Sequence, residues 1–192
     1  MIYSWFPLCF TLFAMPSPGL AAILLAILAV PSAAATLEQL SLDDIIREST
    51  AIVRGRAGEG HSIRSGALIF TVTRFDVAEQ WKGPPARQID IWLPGGQAGS
   101  LSQTFGGVPR LPAGQDFVAF LWTGPSGRTQ IIGLSQGLFS IEKRGAEFVA
   151  IRKPSAALML EPASRRPVRS AAIEMPLGEL KAQVEAASTG KR

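Results

Sequence analysis

Ala67–Trp81 reads ALIFTVTRFDVAEQW, and this stretch decides the fold class. Its apolar residues Ile69, Phe70, Val72, Phe75 and Val77 follow strand rather than helix periodicity. The apolar phase slips between Val72 and Phe75, which predicts a bulge near Thr73 or Arg74. Upstream, Ala51–Arg56 (AIVRGR) reads as a first strand. Downstream, Lys82-Gly83-Pro84-Pro85 makes a turn, because consecutive prolines cannot continue a paired strand. Gln88–Leu93 then alternates, with Ile89, Ile91 and Leu93 on one face and Asp90 and Trp92 on the other. Phe117–Trp122 is apolar on both faces, the pattern of a central, covered strand. Thr129–Leu134 and Leu138–Lys143 follow, and a hairpin through Arg144-Gly145 leads into Glu147–Arg152. No helical run separates these strands, so parallel βαβ units are excluded in favour of a small antiparallel barrel or sandwich.

Two helices flank the strands. In Leu37–Ser49, Ser41 is placed as an N-cap, Asp43 and Asp44 fall in the first turn, and Leu42, Ile45 and Ile46 form the apolar stripe. Pro176 opens a terminal amphipathic helix with Leu177, Leu180 and Val184 on one face. Between them, Lys153–Glu174, with Pro154, Pro162 and Pro167, reads as an irregular strap.

The 192 residues suit one domain with appendages, at about 150 residues per domain. The 47% hydrophobic and 18% charged content fits neither a disordered chain nor a multi-span membrane protein. Residues 1–36 carry no charge, and Gly19–Val30 is a continuous apolar run followed by Pro31-Ser32-Ala33-Ala34-Ala35. That run is short of the roughly 20 residues a membrane span needs, and it ends on small residues. Residues 1–35 are therefore read as a signal peptide, with Met15 as an alternative start. An uncleaved anchor from about Trp5 to Val30 is the competing reading. The expected organisation is a leader over 1–35, a β-barrel domain over 36–152, and a strap with C-terminal helix over 153–192.

The chemistry-bearing residues are few. One cysteine (Cys9), one histidine (His61) and no asparagine exclude a disulfide framework, a Cys/His zinc site and a Cys-His-Asn mechanism. Gly133-Leu134-Ser135-Gln136-Gly137 matches G-x-S-x-G, but a strand pattern follows it and His61 precedes it, so it reads as a tight turn. His61 is expected in a solvated loop between strands. No metal, cofactor or catalytic residue is assigned.

Two candidate contact regions remain. The first is Pro94–Gly114 (PGGQAGSLSQTFGGVPRLPAG), a long glycine- and proline-rich loop without an acid, in which Phe105, Arg110, Gly95 and Gly96 are the expected binding residues. The second is a basic surface of Lys143, Arg144, Arg152, Lys153, Arg165, Arg166 and Arg169, suited to an anionic membrane surface. Only Phe148 supplies an aromatic in that span, which argues against nucleic acid. Trp81, Trp92 and Trp122 are expected in the core or at a barrel rim rather than as a sugar-stacking surface.

Ala51–Arg56, Phe70–Val77, Trp81-Lys82-Gly83, Ile89-Asp90-Ile91, Pro94-Gly95-Gly96, Val108–Leu121 and Gly133–Phe139, in this order, resemble a family of uncharacterised exported bacterial proteins. More distantly, the strand leading into Trp81-Lys82-Gly83 is similar to netrin-like domains, including tissue inhibitors of metalloproteinases. The resemblance implies an OB-like barrel, and with the helices read above the expected fold is mainly β, with a short N-terminal helix and a C-terminal amphipathic helix. Those inhibitors act through an amino-terminal cysteine; this chain has none after Cys9, so that mechanism does not carry over. The expected function is that of an exported, non-enzymatic binding module whose partner is a protein or envelope component. A partner or inhibitor of an exported protease, and an envelope protein with a basic lipid-facing surface, are the alternatives.

Overall fold

The computed structural model of the chain describes residues 36–189. The signal-peptide and anchor readings of residues 1–35, Cys9 included, lie outside the described residues, as do residues 190–192.

The described chain begins with β1 (Thr36–Glu38) and α1 (Leu42–Glu48). The Ser41 hydroxyl accepts from the Asp44 backbone N–H at 3.1 Å, and the acids of the first turn face the positive end of the helix. The helix expected over Leu37–Ser49 is shorter because Leu37 belongs to β1, where it pairs in parallel with Met159.

β2 (Ala51–Ser65) and β3 (Leu68–Lys82) form a long antiparallel hairpin, and β4 (Gln88–Pro94) pairs with β3. The first strand thus runs nine residues past Arg56, the end read from the sequence, and His61 stands exposed in it opposite Val72 rather than in a loop. The phase slip expected near Thr73 or Arg74 is absorbed by the partner strand. Between Ala57 and Gly60 β2 advances three residues while β3 advances two, from Phe75 to Thr73. The glycines of β2 let it do so. A Cβ on Gly55 would stand 2.1 Å from the Asp76 carbonyl oxygen, an approach that only glycine allows.

After a small hairpin of β5 (Gly96–Ala98) and β6 (Leu101–Gln103), the chain enters β7 (Asp116–Thr123) and turns back as β8 (Thr129–Ile131). These strands close on themselves in the order β7-β2-β3-β4-β8, with β8 returning to β7. The ring is not wholly antiparallel as expected: β4 and β8 run parallel, joined by the single pair Ile91 and Thr129. β8 is fixed antiparallel to β7 by their short connection, and closing the ring then obliges it to run with β4. A 3-10 turn (Leu134–Gly137) leads to β9 (Leu138–Arg144) and, through the expected Gly145 hairpin, to β10 (Glu147–Arg152).

The strap is more regular than its prolines suggested. β11 (Leu158–Leu160) lies between β1 and β12 (Pro167–Val168), and β13 (Ile173–Pro176) joins the large sheet beside β10. Pro176 ends β13, and α2 (Leu177–Thr189) starts at the next residue.

β7 explains why the protein has two cores. Phe117, Ala119 and Leu121 point into the ring with Val53, Phe75, Ile91 and Ile131. Val118 and Phe120 point outward to Phe139, Ile141 and the apolar faces of both helices, including Ile45, Ile46, Leu180 and Val184. Period-two alternation along a strand buried on both sides divides its side chains between two layers. The Phe120 and Phe139 rings meet at 5.7 Å and 51°. α2 is further tied to the ring by Glu79, which accepts from Lys181 Nζ at 2.9 Å, Trp81 Nε1 at 3.1 Å and Arg54 at 2.5 Å.

Candidate functional site

The connection from β4 to β7 is held down along its length, contrary to the picture of a free loop. Gly95 N–H donates to the Ile69 carbonyl at 2.7 Å, and the Thr71 hydroxyl donates to the Gly95 carbonyl at 2.9 Å. Gly95 and Gly96 have φ of +99° and +134°, and a Cβ on Gly96 would lie 2.3 Å from Ser62 Oγ. Both conditions select glycine. The Gln103 carboxamide then acts as a strand edge toward β3: its Oε1 accepts from Ile69 N–H at 2.7 Å and its Nε2 donates to Ala67 O at 2.8 Å. At the far end, Gly114 N–H donates to Ala57 O, and Ala57 N–H donates to Gln115 O. In between, Gly107 (φ +81°) lies against the segment after β10, where a Cβ would meet Ala157 at 2.7 Å.

Fastened in this way, the loop roofs two cavities that share Val108, Pro109, Arg110 and Pro112. One, of about 570 Å³, is bounded by Thr71, Thr73, Gly95, Gly96 and Phe105. The other, of about 410 Å³, lies toward β9 and β10 and has Phe117, Leu138 and Ile151 as apolar walls. Its polar wall is Ser135, Ser140, Ser155 and Gln115, and its cations are Arg110 and Lys153. Among the described residues no Asp or Glu lines either cavity. All four loop residues singled out from the sequence are therefore brought together around one cavity, with Arg110 on the boundary of both.

Ser135 enters by a route the sequence did not disclose. Gly133 and Leu134 both adopt the left-handed conformation, at φ of 57° and 56°. For leucine this conformation costs about 1–2 kcal/mol. The turn places Ser135 at the wall of the smaller cavity, while its Oγ is buried and has no hydrogen-bond partner among the described residues. No base touches this hydroxyl, and a strand follows the turn, so the G-x-S-x-G stretch lacks the strand–turn–helix setting of a nucleophile elbow.

The seven basic residues do not form one surface. Arg152 is only 9% exposed; it stacks on Phe139 at 5.7 Å, donates to Gln136 O at 3.3 Å, and burial pulls its pKa down. Strand alternation turns it inward while its neighbour Lys153 reaches the cavity. Arg144 is paired with Glu174 on β13, the far side of β10 from its own strand. Lys143, at the β9–β10 hairpin, pairs with Phe148, and Lys153 follows five residues later, about 17 Å along an extended chain. Arg165, Arg166 and Arg169 stay exposed on the segment around β12.

The tryptophans also occupy separate environments. Trp81 flanks the outer core. Trp92 meets the Phe70 ring at 5.8 Å beneath the Arg128 guanidinium, and Trp122 is 42% exposed. Among the described residues no three His, Cys, Asp or Glu side chains converge as a metal site, and no helix is long and apolar enough to cross a membrane.

Comparison with family models, curated proteins and solved structures returns no match to this chain. What defines the protein is thus its own geometry: a mainly β chain with a closed ring of strands and a paired, acid-free cavity under one connection.

Proposed function

We propose that this chain is an exported, non-enzymatic binding module on an OB-like barrel, and that it makes contact through the β4–β7 connection. Support for the barrel reading comes from strand order. Numbered within the ring, the first strand pairs with the second and fourth, and the third and fifth run parallel, the order of an OB barrel. The observation that carries the binding reading is the pair of adjoining cavities meeting at Arg110 without an acid in their walls. Clefts with mostly apolar walls and a few convergent polar groups are the usual form of a ligand site. Phe105, 37% exposed, gives the larger cavity its one aromatic wall; nucleic acid would need several such platforms.

The test is capture from an envelope extract by wild-type protein and by the Phe105→Ala, Arg110→Ala double variant, with bound species identified in both. Loss from the variant of species held by the wild type is the expected outcome. Equal recovery of every species removes this connection as the contact surface. Sequencing the amino terminus of the protein made in cells tests export: a start near residue 36 is expected, and a start at Met1 or Met15 refutes cleavage.

A further inference from the structure

We infer that the 410 Å³ cavity between the β4–β7 connection and β9–β10 binds a small amphipathic anion, one carboxylate or phosphate monoester on an unbranched apolar body. This deepens the binding reading above and rests on it. Two observations converge on the same cavity. Arg110 and Lys153 both line the cavity, and neither makes an ion pair or hydrogen bond with any described residue. No carboxylate lines the cavity to neutralise them, so the space itself is positive.

Phe117, Leu138 and Ile151 supply the second point, because they offer an apolar body a surface beside the cations. At about 30 Å³ per water-sized group, the volume accommodates about a dozen non-hydrogen atoms. Such a ligand would be a chain of about ten carbons with its head group.

Specificity follows from the arrangement. The cations recognise the head, and the apolar walls recognise the body, so neither a neutral alcohol nor inorganic phosphate satisfies the site. Phe105 lines only the neighbouring cavity.

The experiment is calorimetric titration of the purified full chain with decanoate, decyl phosphate, decanol and inorganic phosphate, each amphiphile below its micelle concentration. Decanoate and decyl phosphate are expected to bind at least tenfold tighter than decanol and than inorganic phosphate; their relative order tells a carboxylate from a phosphate ligand. Arg110→Met and Lys153→Met are each expected to weaken the preferred anion at least fivefold. Arg110 and Lys153 are exposed, so their variants retain the fold, which the thermal midpoint checks. Decanol binding as tightly as the anions, unchanged affinity in Lys153→Met, or no binding of either anion overturns the inference. If anion binding fails while the Phe105→Ala, Arg110→Ala variant still loses a captured partner, the ligand class is wrong and the contact surface stands. If anion binding holds and partner capture does not depend on the connection, the cavity is a site of its own and the contact reading falls.

Discussion

Replacing Glu79 by Gln should destabilise the protein by about 1–2 kcal/mol at pH 7, and the deficit should vanish in acid. Hydrogen bonds from Lys181, Trp81 and Arg54 hold the Glu79 carboxyl at about 2, against an ordinary value of 4.5. At about 1.4 kcal/mol per pH unit, that depression has a ceiling of about 3 kcal/mol. The side chain is 34% exposed, so water and salt screen a good part of it, which brings the expected effect to the lower figure. The folded-state pKa lies below the unfolded one, so the stabilisation is complete above pH 4.5 and is lost as pH falls toward 2. Other acids contribute to acid sensitivity, Asp44 among them through its hydrogen bonds from Ser41 and Arg47, but wild type and variant share that contribution. The difference between their urea midpoints, measured from pH 7 to 2.5, therefore isolates Glu79. It should be constant down to about pH 5, narrow below that, and shrink in 1 M salt. Equal midpoints at pH 7, or a gap that does not narrow in acid, would refute the role given to this carboxylate in tying α2 to the ring.

Four further outcomes test the packing. Gly55→Ala should cost more than Gly66→Ala although only Gly66 has a left-handed φ, because the new methyl meets the Asp76 carbonyl at 2.1 Å while at Gly66 it meets nothing. About 3 kcal/mol or more against about 1 kcal/mol, by urea unfolding, is the expected contrast. Phe120→Ala, emptying the fully buried ring position between β7 and the helices, should cost about 3–5 kcal/mol. Gln136→Ala removes the bonds by which its carboxamide holds Leu40 N–H and Glu38 O, at 2.8 and 2.9 Å, and should cost about 1–3 kcal/mol. Faster amide exchange at residues 37–40 is the local sign. Arg152→Met should leave the thermal midpoint unchanged or raise it, since the buried guanidinium makes no ion pair among the described residues; a fall of several degrees would show a stronger role for its bond to Gln136.

Local pattern was enough to determine several features from sequence alone. Phe117–Leu121 had to be a covered central strand, because apolar residues at both parities leave no face for water, whereas Trp122 at its end stands exposed. Ser41 had to cap a helix, because its oxygen and the acids after it suit the unpaired N–H groups there. The loop carrying Phe105 and Arg110 was marked by its glycines, prolines and missing acids, and those residues do line the cavities. What only the tertiary structure decided involves groups far apart in the chain. Arg144, Arg152 and Lys153 are alike as letters, yet one pairs with Glu174, one is buried on Phe139 and one faces a cavity. Ser135 read as a turn residue, because nothing adjacent shows that it lines one cavity with residues 107–110 and 153–156. The parallel β4–β8 seam was hidden for the same reason: alternation says which face a residue takes, whereas ring closure depends on which strand arrives beside it.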